Sequence, residues 1–361
     1  MVTPAPRVAV CGTGMAPLAE ASGALERAVL GWALALRRRG YGVVAVEPGP
    51  GGPTAEELRS IGCHVLVLNN RPLWGRASPC PVVHVLHNYP DAWELGGATE
   101  ARVGEALGAG LPAAVSRTLA SSIEAAYGLD HVQQAVVEVE ECFFEQRWHG
   151  GGPVVFPNRL LEKKGVRLFL ELSALLAEDG LHCVAYRHLA PWRSPTPEHR
   201  ELLAEIAACS TVQLLEPPAT REAMARAYAA AAVVVCPSLR PEGLGMVALE
   251  AQAVGAPVVT SGCGGLAEAT FTPNETVRAP DPGEWRAAVL RALDRGRRDP
   301  GSLADASEAV RRAHGPEPAA ESIERLVGEA LDAGDLQGRL ARPHGALPAA
   351  AEGGPPSGES P

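Results

Sequence analysis

The chain has 361 residues, with 32 basic and 42 acidic side chains and a net charge of −10. At roughly 100–200 residues per domain this length predicts two domains, and the acidic balance argues against a nucleic-acid reader, which carries a basic excess or stripe. Hydrophobic residues make up 46 % and aromatic residues only 4 %, which predicts cores of Ala, Val and Leu and contains no run near the ~20 apolar residues of a membrane span.

Arg7-Val8-Ala9-Val10-Cys11 reads as a strand, ended by Gly12-Thr13-Gly14. Leu25, Val29, Trp32, Ala33 and Leu36 recur at helical spacing, so a helix is expected over about 25–39, stopped by Gly40. A strand at Tyr41–Glu47, a Gly/Pro loop, a short helix at 54–60 and strands at Cys63–Leu68 and Pro81–Leu86 follow. A helix near 99–108 and a strand at Ala113–Ser116 complete the first series. The strands are short, unbroken apolar runs, the mark of a parallel sheet buried on both faces. After the Gly150–Pro153 break a second series begins. Strands are expected at Val154–Phe156, Cys183–Tyr186, Thr211–Leu215, Ala232–Cys236 and Pro257–Thr260, alternating with helices at 165–178, 197–208, 220–230 and 245–253. The predicted class is therefore α/β: two doubly wound Rossmann-like domains, 1–150 and 151–333, facing a central cleft. Ligands in such sheets bind at the carboxyl ends of the strands. A closing helix is expected near 317–332, and the Gly/Ala/Pro-rich 334–361 reads as a disordered tail.

The eight cysteines are scattered, with no CxxC pair or Cys/His cluster, and MVTPAPRVAVCGTG shows no signal peptide. A reduced, cytoplasmic chain without zinc or a disulfide framework is expected. The Gly12-Thr13-Gly14 turn lacks the third glycine of a dinucleotide fingerprint, and no GxxxxGK[ST], HExxH or GxSxG is present.

Four segments at strand ends carry candidate chemistry. In PSLRPEGLGMVALEAQAVG, Glu242 lies in a Pro/Gly loop and Glu250 eight positions later, inside a helix that starts near Gly245. Open amides at a helix start attract an anion such as phosphate, and flanking carboxylates accept from sugar and ribose hydroxyls. An ordinary surface Glu pair is an equally weighted reading of the spacing alone. In FPNRLLEKKG, Arg159 and Lys164 make a clamp suited to a diphosphate leaving group. Lys163 and Lys164 are the only lysines in the chain, against 32 basic residues in all, and no Asp-x-Asp suggests a metal. A solvated loop is the bland alternative. In PVVHVLHNYPDAW, His87 stands at a strand end and His84 inside the strand, where it reads as a core residue; Asn88, Tyr89, Asp91 and Trp93 follow. Ser22-Gly23 precedes the first helix, Ser22 reading as an N-cap.

Taken together these segments resemble retaining glycosyltransferases of family 4, which have the GT-B fold. The E-x7-E pattern stands as Glu242-Gly243-Leu244-Gly245-Met246-Val247-Ala248-Leu249-Glu250, and the family's G-R-L-x-x-x-K-G element as Asn158-Arg159-Leu160-Leu161-Glu162-Lys163-Lys164-Gly165. Pro237-Ser238, Gly255–Val259, Gly264–Glu268, Asn70-Arg71-Pro72 and His87-Asn88 are also similar, so the resemblance covers about 7–330. Leu244 replaces Phe, Asn158 replaces Gly, and Ser22-Gly23 replaces a Gly-Gly pair.

The resemblance implies that Glu250 holds the ribose hydroxyls and Glu242 the donor-sugar hydroxyls. Leu244, Gly245, Met246 and Val247 would offer amides to sugar or phosphate, with Gly23 facing them from the first domain. Arg159 and Lys164 would neutralise the departing diphosphate, with Lys163 an expendable neighbour, and His87 would line the reaction centre. The donor's own β-phosphate would take the acceptor proton, preserving the α anomer without a protein nucleophile. The implied partners are a nucleotide-sugar, a UDP-sugar favoured, and a small polar acceptor; no cofactor, metal, nucleic acid or membrane insertion is expected. PNRLLEKKG and LHN are further similar to glycosyltransferases of aminoglycoside-antibiotic pathways, implying an aminocyclitol or pseudodisaccharide acceptor. An epimerase or hydrolase on the same fold, or a non-catalytic nucleotide-sugar binder, are the alternatives.

Overall fold

A computed structural model describes residues 5–12, 23–46, 52–71, 78–92, 99–187 and 196–340. The first sheet is formed by β1 (Arg7–Cys11), β2 (Gly42–Val46), β3 (Val65–Asn69), β4 (Val82–Leu86), β5 (Leu111–Ala114) and β6 (Gln133–Gln134), in the order β2-β1-β3-β4-β5-β6. The second comprises β7 (Val154–Phe156), β8 (Cys183–Tyr186), β9 (Val212–Leu215), β10 (Val233–Cys236), β11 (Val258–Thr260) and β12 (Glu275–Thr276), ordered β12-β11-β10-β7-β8-β9. Every strand pairing in both sheets is parallel.

The expected helices form within a residue or so of their predicted bounds: α1 (Ala24–Arg38), α2 (Ala55–Ser60), α3 (Glu100–Gly108), α6 (Val166–Glu178), α7 (Pro197–Ala208), α8 (Arg221–Ala230) and α9 (Met246–Ala253). Local chemistry sets many of the starts. Thr54, Thr99, Thr196 and Thr220 each accept a first-turn amide, and Pro197 occupies the first turn of α7. Helices α4 (Arg117–Tyr127), α5 (Glu141–Phe144), α10 (Pro282–Arg298), α11 (Pro300–His314) and α12 (Pro316–Leu340) complete the described chain.

The strand orders fix where ligands can bind. In the second sheet β7 lies between β10 and β8, with Val154 opposite both Val233 and Cys183. Chain order reverses between β7 and β10, so the loops after these two strands diverge and leave a crevice at their carboxyl ends. These are the loops that carry Arg159–Lys164 and Glu242.

Two connections join the domains. The segment after β6 crosses to the second domain, where the Trp148 amide donates to Val254 O at 2.8 Å and its indole to Ala231 O at 2.7 Å. Helix α12 then returns to pack on α1, β3 and β4, burying Ile323, Leu326, Val327 and Ala330. The closing helix, expected within the second domain, thus covers the first. Arg39, just after α1, pairs with Glu317 and Glu324 of this helix. It also runs through Leu340, into the stretch expected to be tail; 341–361 lie outside the described residues.

Candidate active site

The cleft between the sheets has a volume of about 1730 Å³, above the roughly 300–1,000 Å³ usual for a small-ligand pocket. It has room for more than one small molecule.

At the second sheet's switch point, Glu162–Lys164 form a 3-10 turn after β7. The turn is tied to the loop after β10 by the Leu239 amide, which donates to Lys163 O at 2.9 Å. Lys164 Nζ thereby reaches both oxygens of Glu242, at 2.5 and 2.6 Å, and Ser238 Oγ donates to Oε1. Both side chains are largely shielded, at 15 % and 17 % exposure. Burial alone would raise the Glu242 pKa, but the Lys164 ammonium, the Ser238 hydroxyl and the Arg159 charge outweigh it and hold it below its ordinary value. Glu242 is therefore a carboxylate at neutral pH.

The cations not committed to Glu242 face the cleft. Arg159, Lys163 and Arg240 line it and are exposed. The Lys163 ammonium is pushed down by partial burial and by repulsion from Arg159 and Lys164, while Glu242 and Asp91 oppose the shift. Lys163 thus sits on the same wall as Lys164, and the expectation that it is an expendable neighbour does not follow from its position.

Gly243 comes next. A Cβ there would lie 2.0 Å from His87 O, so at this point the loop after β10 touches the first domain backbone to backbone. Gly245, at φ 114°, adopts the left-handed conformation that starts α9. Leu244 is buried, and Met246 and Val247 line the cleft at the helix's first turn.

Glu250 lies one turn into α9, with its side chain only 4 % exposed. Arg221, the first residue of α8, donates to Glu250 Oε1 and, through Nε, to Glu140 Oε2 at 3.0 Å. Its guanidinium stands 4.6 Å over the Phe143 ring. Arg27 of α1 lies 3.8 Å from Glu140. Two cations and two carboxylates therefore form a chain Arg27–Glu140–Arg221–Glu250 that runs from the first domain through the crossover to the second. Burial would lower the Arg221 pKa, but Glu250 and Glu140 outweigh it and raise it; Arg27, with burial and Arg221 against it, is lowered. Arg221, Glu140 and Arg240, with Arg27, Glu138 and Glu222, are charged cleft residues that motif reasoning missed. A hint exists for Arg221: a Thr220 N-cap places it in the first turn of a helix, where an acidic residue suits the dipole better.

On the first-domain side His87 follows β4 and is buried. Its amide donates to Asn70 Oδ1 at 2.7 Å, and its Nε2 lies 3.0 Å from Asn69 Oδ1. Asn69 Nδ2 donates to Cys11 O, so Asn69 Oδ1 is an acceptor and His87 Nε2 carries the hydrogen. Nδ1 is then the ring's lone-pair nitrogen. Burial depresses the His87 pKa to about 3, so the ring is neutral at ordinary pH. His84 is buried in the sheet with its pKa lowered to about 4 by the same cause, as expected of a core residue. Gly23 caps α1 and lines the cleft. Thr13, Gly14, Ser22, Arg71's neighbour Pro72, Trp93 and Glu94 are outside the described residues.

The domains also bond across the cleft edge. Ser116 Oγ donates to Gly243 O at 2.6 Å, and Glu268 accepts from the amides of Arg117 and Thr118 at 2.9 and 2.6 Å, capping the start of α4. Among the described residues no group of three His, Cys, Asp or Glu is placed to hold a metal ion, and no helix is long and apolar enough to cross a membrane.

Comparison with known proteins agrees with this geometry. Residues 152–295 match the family model described as glycosyl transferases group 1. A D-inositol 3-phosphate glycosyltransferase of Thermobispora bispora is 39 % identical over 139 residues, covering 36 % of this chain and 31 % of the relative. The match thus spans about a third of the relative's length. Among solved structures, a glycosyltransferase from Rickettsia africae superposes with a TM-score of 0.72 at 14 % identity, over 91 % of this chain and 99 % of that one. Anabaena HepE in complex with UDP-glucose superposes with a TM-score of 0.67 at 14 % identity, over 90 % and 99 %. The chain therefore has the GT-B fold over its described length and matches the glycosyl transferases of group 1 over residues 152–295.

Proposed function

We propose that the protein is a retaining glycosyltransferase that moves a sugar from a nucleotide-sugar, with a UDP-sugar favoured, to a hydroxyl of a small polar acceptor. The observation that carries this reading is the arrangement at the start of α9. A fixed, ionised Glu242 and a shielded Glu250 flank the helix's first turn, opposite a wall of exposed cations. Glu250 accepts from ribose hydroxyls through the oxygen that Arg221 leaves open, and Glu242 from donor-sugar hydroxyls. The amides of Leu244, Gly245, Met246 and Val247 meet sugar or phosphate, with Gly23 opposite. Arg159, Lys164 and, beside them, Lys163 take the charge that develops on the diphosphate as the glycosidic bond breaks, so no metal is required. Both Glu242 oxygens are hydrogen-bonded, which suits a binding role better than that of a nucleophile. The acceptor proton passes to the leaving phosphate on the face of attack, and the α anomer is retained. Neutral His87 contacts the sugar rather than relaying a proton.

The acceptor is assigned to the first-domain side, where Asp91 and Glu138 line the cleft. Acidic groups there favour a cationic acceptor, an aminocyclitol or pseudodisaccharide of aminoglycoside-antibiotic biosynthesis. A cytoplasmic reaction fits the free state of all eight cysteines.

The test is incubation with a panel of UDP-, GDP- and dTDP-sugars in EDTA, with and without an aminocyclitol. Acceptor-dependent release of nucleoside diphosphate with an α-linked product is expected, and Glu250→Ala should abolish donor binding. A β-linked product refutes retention. Release that ignores the acceptor points to a hydrolase or epimerase, and binding without release to a non-catalytic binder.

A further inference from the structure

Away from the cleft, at the amino-terminal ends of β3 and β4, two cysteines meet. Cys63 stands two residues before β3 and Cys80 two before β4. The strands are hydrogen-bonded neighbours, with Leu66 opposite Val82. Neighbouring strands lie about 4.7–4.9 Å apart, inside the window of Cα separations of about 4.4–6.8 Å that a disulfide spans. The two sulfurs are 3.4 Å apart, so forming a bond of ~2.05 Å asks for a small side-chain movement and no change of strand pairing. Both residues are half-buried and flanked by exposed Gly62, His64 and Pro79, so a small oxidant has access. Cys11, Cys183 and Cys236, by contrast, are buried.

We propose that Cys63 and Cys80 are a thiol modification site that closes reversibly to a disulfide by exchange with a small disulfide such as glutathione disulfide. Cys80 is the attacking thiol. The hydrogen bond between the two sulfurs brings it down to about 7 against the effect of burial, with Ser78 Oγ beside it, while the Cys63 thiol is raised. The Cys80 thiolate attacks one sulfur of the oxidant, forming a mixed disulfide and expelling one glutathione thiolate. Cys63 then loses its proton and attacks Cys80 Sγ, expelling the second. Two protein thiols are oxidised to one S–S bond, the oxidant's S–S bond is reduced to two thiols, and the two protons end on the released glutathiones. The bridge would close the loop 63–80, which contains β3 and Asn70. Because Asn70 Oδ1 accepts the His87 amide, oxidation would tether the two strands that seat His87.

The test uses the full chain in glutathione disulfide at about neutral pH, quenched by alkylation and mapped by non-reducing peptide mass spectrometry. The expected result is a Cys63–Cys80 linked peptide, with two of the eight thiols lost and restored by dithiothreitol. Cys63→Ser should trap one glutathione on Cys80, and Cys80→Ser should take up glutathione at Cys63 at least about ten times more slowly. Retention of all eight thiols, or a bridge between other cysteines, overturns the proposal on the unaltered chain. Equal rates in the two variants overturn the assignment of Cys80 as attacker.

Discussion

Arg221→Met tests whether Glu250 is held as a charged group. The substitution keeps an unbranched apolar stem and removes the guanidinium from a carboxylate that is 4 % exposed, the arginine itself being 24 % exposed. Breaking a buried ion pair by deleting one partner costs about 3–5 kcal/mol, because the remaining charge is left uncompensated. Water reaches the space vacated by a side chain one-quarter exposed, so the low end applies, about 3 kcal/mol. Glu140 keeps Arg27 at 3.8 Å, so its loss adds no more than a few tenths of a kcal/mol.

Urea unfolding followed by circular dichroism near pH 7 measures the deficit, provided the m-value is unchanged. Adding Glu250→Gln to the variant should restore most of the loss at neutral pH. A deficit under about 0.5 kcal/mol, or a double variant no better than the single one, refutes the reasoning.

His87, depressed to about 3 by burial, should show no imidazole titration between about pH 5 and 8, where an ordinary histidine titrates. A ring-proton resonance of His87 moving with a midpoint near the ordinary ~6.5 contradicts this. Its contribution to stability is full above the unfolded pKa of about 6.5 and is lost as pH falls toward the folded value. Gly243→Ala places a methyl 2.0 Å from His87 O, so the loop or the domains must shift. Donor KM should rise at least about tenfold if closure positions the donor, and an unchanged KM shows that the contact is incidental. Gly328→Ala in α12, where a Cβ meets nothing within 4 Å, is the matched control. It should raise stability by about 0.5–1 kcal/mol, and a lower Tm contradicts the open space assigned to it.

The fold was legible because both sheets are parallel and buried on both faces. Runs such as Val233–Cys236 and Val65–Leu68 have no polar face to confuse their period, and the helices between them show regular apolar spacing or Thr caps. Helices α5, α10 and α11 were not anticipated. Helix α4 is capped by Ser116, which the sequence reading absorbed into the preceding strand because Ala113–Val115 are apolar. Helix α12 has the predicted stripe, but a stripe does not say which domain it covers; the partner is α1, nearly three hundred residues earlier in the chain.

The site divides in the same way. That Glu242, Glu250, Arg159 and Lys164 line one cleft was legible because each stands after a strand, and the strand order then brings the two loops together at the switch point between β7 and β10. What a motif cannot carry is how charge is shared once the chain folds. The lysine pair shows this. Composition marks Lys163 and Lys164 as unusual and spacing favours Lys164, yet Lys164 spends both short contacts on Glu242, while Lys163 remains exposed on the cleft wall beside Arg159 and Arg240. Glu250 shows it again from the acidic side, since its partner Arg221 comes from another helix and is itself shared with Glu140 in the crossover. A substrate that engages Glu250 would therefore act on a charge chain that reaches Arg27 in α1, so the proposed nucleotide end of the cleft is linked to the first domain through the same four side chains.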